Sequence, residues 1–150
     1  MPHLFRIAPF VVLGSLLTLA PASRGAEPEP GGYKGGVSSK LVLRTTKTSS
    51  GDPIRYLATD KAEVTALIVD FPPGTETGWH LHTVPVYSWV VSGSVSVEME
   101  GGKTRTFGEG EAIVEMVGIK HVGRNTGTVP AKLLVFYTGA EGEPIVHRTP

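Results

Sequence analysis

Four turn signals, Pro72-Pro73-Gly74, Ser92-Gly93-Ser94, Gly101-Gly102 and Gly108-Glu109-Gly110, cut the second half of the chain into pieces too short for ordinary helices. Each is built from residues that reverse or bend the backbone. Between these and similar breaks lie runs of β-type composition at residues 41–46, 54–58, 63–71, 86–91, 94–99, 104–107, 112–117 and 131–138. None carries a 3.6-residue apolar period, so each reads as a strand. Eight or more short antiparallel strands in one domain favour a sandwich or closed barrel, because near closure leaves few edges to pair with other chains. The fold class predicted is all-β.

A chain of 150 residues, 40% apolar and 19% charged, suffices for one globular domain with a core of its own. Fourteen basic and fourteen acidic residues cancel, and no dense basic run stands out. That excludes the electrostatic footprint of a nucleic-acid binder and leaves small molecules or other proteins as expected partners. The absence of cysteine removes disulfides, thiolate metal sites and thiol nucleophiles together. Any metal must be bound through His, Asp, Glu or other oxygen ligands.

The N-terminus has the pattern of an export signal: Arg6, an almost wholly apolar stretch at 7–20, and small residues in Ala20-Pro21-Ala22. Cleavage is expected after Ala22, which makes residues 1–22 a signal peptide and the mature chain periplasmic or secreted. The apolar stretch falls short of the roughly 20 residues that span a bilayer, so no stable membrane anchor is expected after cleavage. Residues 23–40 are rich in Pro, Gly and Ser and read as a flexible linker. The β-domain is then 41–138, with a tail at 139–150.

Three of the five histidines fall in two short segments. His80 and His82 are two apart in an extended stretch, so they project from one face, expected to be the interior. His121 sits in a separate segment bounded by glycines, G110-EAIVEMVGIK-H121. Tyr87 and Trp89 also share a face and read as packing residues.

The two histidine segments resemble the paired motifs of the cupin superfamily, G-x5-H-x-H-x3-4-E-x6-G and G-x5-P-x-G-x2-H-x3-N. Gly74, His80, His82 and Gly93 match the first; Gly110, Gly118, His121 and Asn125 match the second. The H-x-H-x-V-P-V run and the TFGEGEA stretch before the third histidine are similar to those of small exported single-domain bacterial cupins. The resemblance implies a double-sheet jelly-roll barrel with His80, His82 and His121 around a divalent transition metal, Fe, Mn, Ni, Cu or Zn. Two positions depart from the motifs. Val86 stands where the carboxylate ligand belongs, with Tyr87 at the alternative spacing, and Met116 replaces the proline.

Glu115 is the leading replacement for the lost ligand, provided its strand face is interior. Otherwise it is a surface carboxylate paired with Lys120 or Arg124. Glu76 is a second, weaker candidate, and Tyr87 a further acid, base or ligand. Two functions follow: an enzyme of oxidoreductase, isomerase or decarboxylase type acting on a small oxygen-bearing molecule, or a module that binds a small molecule or metal without chemistry. Cupins often pair through sheet edges, and residues 41–58 are the edge expected to support a homodimer.

Overall fold

The computed structural model describes residues 35–149. The signal peptide at 1–22 and linker residues 23–34 lie outside the described residues. The chain divides into two units, Met1–Ser38 and Ser39–Pro150, and every strand described belongs to the second. Residues 35–40 are exposed and carry no strand.

Nine strands follow in order: β1 (Ala62–Phe71), β2 (His80–Leu81), β3 (Val86–Ser92), β4 (Ser94–Met99), β5 (Thr104–Gly108), β6 (Ala112–Val114), β7 (His121–Arg124), β8 (Ala131–Ala140) and β9 (His147–Arg148). They form two sheets, of order β1-β8-β3-β6 and β5-β4-β7-β2-β9, with every strand pairing antiparallel. No helix occurs among the described residues. This is the all-β, double-sheet jelly roll expected.

Alternation defines the inner faces. Val86, Ser88 and Val90 of β3, Val95, Val97 and Met99 of β4, and Leu133, Val135 and Tyr137 of β8 are buried, while their neighbours along each strand are less so. These side chains meet between the sheets as one core. Fully burying a single Val or Leu stabilises a fold by about 1.5–3 kcal/mol, so this shared interior holds the sheets face to face.

Gly93 joins β3 to β4 and is required twice over. Its φ is +72°, and an added Cβ would lie 2.6 Å from the Pro130 carbonyl oxygen and 2.8 Å from Ala131 Cα. The turn and the close approach of β8 both exclude a side chain there.

The runs at 41–46 and 54–58 are not strands. Their hydrogen bonds turn inward on a local loop: Thr48 N–H donates to Asp52 O, Gly51 N–H to Thr48 O and Ile54 N–H to Thr46 O. Pro53, with no N–H to give, contributes only an isolated bridge to Lys47. Ser49 then docks this loop on β6, both its N–H and its hydroxyl donating to Val114 O at 2.8 Å. Residues 41–58 therefore supply no edge strand for a dimer; they cover an edge already present. The run at 112–117 also stops early, at Val114, and Gly118, at φ +74°, turns its N–H onto His82 O.

Beyond β8 the chain returns. Within the segment expected as a tail, His147–Arg148 forms β9 and pairs with β2, Leu81 opposite His147 and His80 opposite Arg148. Sequence alone gives no sign of β2 or β9 as strands, for two residues are too short to show alternation.

Candidate metal centre

The three motif histidines meet. β2 carries His80, and His82 follows its last residue directly, while β7 begins with His121, which pairs with His80. Residues opposite each other in an antiparallel pair share a face, so the register places these two rings together. Ring centroids are 4.4 Å apart for His80 and His121, 4.9 Å for His80 and His82, and 5.1 Å for His82 and His121. One nitrogen from each ring lies within 4.8 Å of the others, and all three residues are buried. Small ring rotations bring such a set to about 2.0–2.1 Å from one shared ion.

Backbone carbonyls orient all three rings. His80 Nδ1 bonds Gly78 O at 2.9 Å, His121 Nδ1 bonds Ile119 O at 2.9 Å, and His82 Nδ1 bonds Ile145 O at 2.6 Å. A carbonyl only accepts, so each Nδ1 must carry the proton and each Nε2 its lone pair. Carbonyl partners of this kind fix the tautomer and ring orientation that a metal ligand needs. His121 Nε2 is buried without any hydrogen-bond partner.

Burial is the largest influence on His80 and lowers its pKa, the bond to Gly78 O opposes this, and the neighbouring His121 and His82 lower it further. The ring is thereby kept neutral, the form a metal needs.

Glu115 completes the cluster. Its N–H bonds Val86 O at 2.9 Å, continuing the ladder in which Tyr87 faces Val114. Its side chain therefore shares the inner face with Val86. One strand over from the motif's own carboxylate position, an acid enters the interior after all. Glu115 Oε2 lies 3.3 Å from His82 Nε2 and 3.6 Å from His121 Nε2, while Ser88 Oγ donates to Oε1 at 2.5 Å. Burial pushes this carboxyl up, but the adjoining imidazoles of His121 and His82 and the Ser88 hydroxyl outweigh it and hold it well below the usual carboxylate range.

The surroundings are mainly apolar. A cavity of about 70 Å³ is lined by the triad, Glu115 and Tyr137 against Val95, Val97, Leu133 and Val135. A water occupies roughly 30 Å³ of liquid, so an ion and one or two small ligands fill such a space. The Tyr137 ring stands edge-on to His82, with centroids 5.4 Å apart. Burial and the charge of Glu115 push its phenol up to about 12, so it remains a neutral O–H near pH 7.

Other expected residues lie elsewhere. Glu76 is exposed and pairs with Arg124 at 2.7 Å, away from the centre. Tyr87 sits on the outer face of β3, between inward Val86 and Ser88, and so offers the triad no acid, base or ligand. Trp89 shares that face, and both rings are half-buried. Asn125 is structural: its side-chain amide donates to Phe71 O and Val129 O and accepts from Gly127 N–H, which ties the turn before β8 to the end of β1. Met116 is buried in the core. Ser88, Tyr137 and Ile145 belong to the site without having been singled out. Ser88, a polar residue two along from Val86 in an apolar run, was the readable one.

The model of the family described as "Cupin domain" matches residues 67–137, a stretch that spans both histidine segments and the sheets that carry them. This chain carries a cupin domain. Among solved structures, the DMSP lyase DddQ from Ruegeria pomeroyi DSS-3 is 27% identical, with a TM-score of 0.51 over 66% of this chain and 47% of that one. A structure from work on the DMSP lyases RdDddP and RnDddQII is 23% identical, with a TM-score of 0.50 over 61% of this chain and 46% of that one. The chain thus spans about half the length of these two structures. A search of curated proteins returns no match. The cupin domain carries a three-histidine group that could hold a divalent metal.

Proposed function

We propose that this cupin holds a divalent transition metal through His80, His82 and His121, with Glu115 as fourth ligand, and acts on a small oxygen-bearing molecule. One observation carries the reading: three imidazole lone pairs, fixed inward by backbone carbonyls, converge with a carboxylate on one buried point. Acceptors without protons repel one another there, and a cation removes the repulsion. Three nitrogens and one oxygen suit Fe(II), Mn(II), Ni(II), Cu(II) or Zn(II).

When bound, such an ion supplies Lewis-acid or redox activation of a substrate oxygen. The chain's residues do the rest. Glu115, held in place by Ser88, offers an oxygen lone pair to the ion or to a proton. Tyr137 is a neutral hydroxyl at the cavity. The apolar walls exclude bulk water. The likeness to a DMSP lyase supports an enzyme over a purely binding module. The export part of the proposal rests on residues 1–22 alone, and a mature N-terminus at Ser23 by mass spectrometry tests it.

The deciding experiment is metal analysis of the purified full chain, followed by alanine replacement of each histidine. Uptake near one ion per chain, lost in H80A, H82A and H121A and kept in H147A, is the expected outcome. Retention of metal by all three triad variants would exclude the site. Metal-dependent turnover of a small substrate then separates the enzyme from a binding module.

A further inference from the structure

Next to the triad lies a second cavity, of about 410 Å³, bounded by the end of β1, the loop at 72–77 and β9. It reaches His80 and Tyr137 within and Asp70, Glu76 and Arg148 at its rim. Two of these charges already have partners: Asp70 is ion-paired with Lys132, and Glu76 with Arg124, which also pairs with Glu98. Arg148 has no carboxylate partner among the described residues. Its Nη1 lies over Gly78, 4.0 Å from where a Cβ would stand, and donates only to Thr77 O at 3.5 Å. The register then matters. Arg148 is directly opposite His80 across the β2–β9 pair, so its side chain leaves the sheet on the face that carries the triad.

We propose that this cavity is the substrate's anion subsite, and that Arg148 holds the carboxylate of a small organic acid whose other end faces the triad. The proposal rests on the metal reading and adds a substrate class to it. A guanidinium offers two parallel N–H donors that match a carboxylate, and a pair of that kind fixes orientation as well as position. The cavity is of ligand size, and Val69, Phe71 and Val146 give it apolar walls for a short carbon chain. Arg148 is the one Lys or Arg among the described residues that line the cavity, so the match is to a monoanion and not to a phosphate dianion.

The test uses the full chain, with and without Zn(II), and follows propionate, its neutral amide and inorganic phosphate by ligand-observed NMR titration. Propionate is expected to bind at least tenfold more tightly than the amide and more tightly than phosphate. R148Q should weaken propionate at least tenfold while Zn(II) uptake stays as in the wild type, and R148K should fall between. Equal propionate affinity in R148Q and wild type overturns the proposal. So does a preference for phosphate, or a loss of Zn(II) uptake in R148Q that parallels the loss of propionate. Failure of the metal reading is seen separately, as absence of Zn(II) uptake by the wild-type chain; Arg148-dependent propionate binding is then read on the metal-free chain.

Discussion

Val86 and Glu115 show what a one-residue departure from a motif costs and how neighbouring residues offset it. Val86 occupies the carboxylate position and is fully buried, so it contributes packing and no charge. Glu115 comes in from the adjoining strand end, on the same face, and Ser88 secures its second oxygen. E115Q keeps the shape and removes the charge. We expect its metal affinity to fall about 10- to 100-fold, the scale typical of losing a ligand's support or charge. S88A leaves the charge and deletes only one hydrogen bond that holds it in place, so a smaller loss than in E115Q is expected. Competition titration with a chromophoric chelator reads both. Unchanged affinity in E115Q would leave the centre with three histidines and make Glu115 a partly buried structural acid.

The segment after β8 shows best what the sequence concealed at the scale of elements. Composition gave it as a tail, because 139–150 has no apolar run, yet it contributes β9 and the carbonyl that orients His82. Thr149 N–H also bonds Trp79 O, so the stretch from Trp79 to His82 is held on this side by the tail and on the other by His121. The legible elements were those with alternation over several residues, β1, β3, β4, β5 and β8. β9 gains strand geometry from β2, and β2 from β7 and β9 on its two sides, which no local pattern records. The histidine cluster, by contrast, was legible in full, since motif spacing encodes its register; the carbonyls that orient it come from backbone, which has no sequence signature. Removing residues 144–150 should leave a strand-dominated circular dichroism spectrum but lower metal affinity about tenfold or more. Undiminished metal binding by the shortened chain would show that β7 alone suffices to position β2. A companion test concerns Gly93: G93A forces a side chain into a left-handed φ against β8, at a cost of about 1–3 kcal/mol for the backbone alone. Its thermal midpoint should drop by several degrees.

For the whole molecule, the centre makes stability depend on acid. Burial lowers the pKa of His80 in the folded chain from the ordinary 6.5. As pH falls through 6.5, the unfolded chain takes up this proton first, so stability declines. Glu115 adds to the same trend at lower pH: its folded pKa is depressed from 4.5, so its contribution is present above that value and lost as pH falls below it. One proton changes stability by at most about 1.4 kcal/mol per pH unit. The metal-free chain should therefore melt a few degrees lower at pH 5.5 than at pH 7.5, and H80Q should flatten that interval. Adding Zn(II) reverses the relation between site and fold. An ion that binds only the folded chain stabilises it by about 2.7 kcal/mol at one hundred times its dissociation constant. Protons compete with it for the same imidazoles, so the stabilisation must shrink with acid. Thermal melts with Zn(II) or with chelator at both pH values check this directly. The expected outcome is a clear upward shift with Zn(II) at pH 7.5 and a much smaller one at pH 5.5. Equal shifts at the two pH values would mean that the ion is bound by something other than the imidazoles.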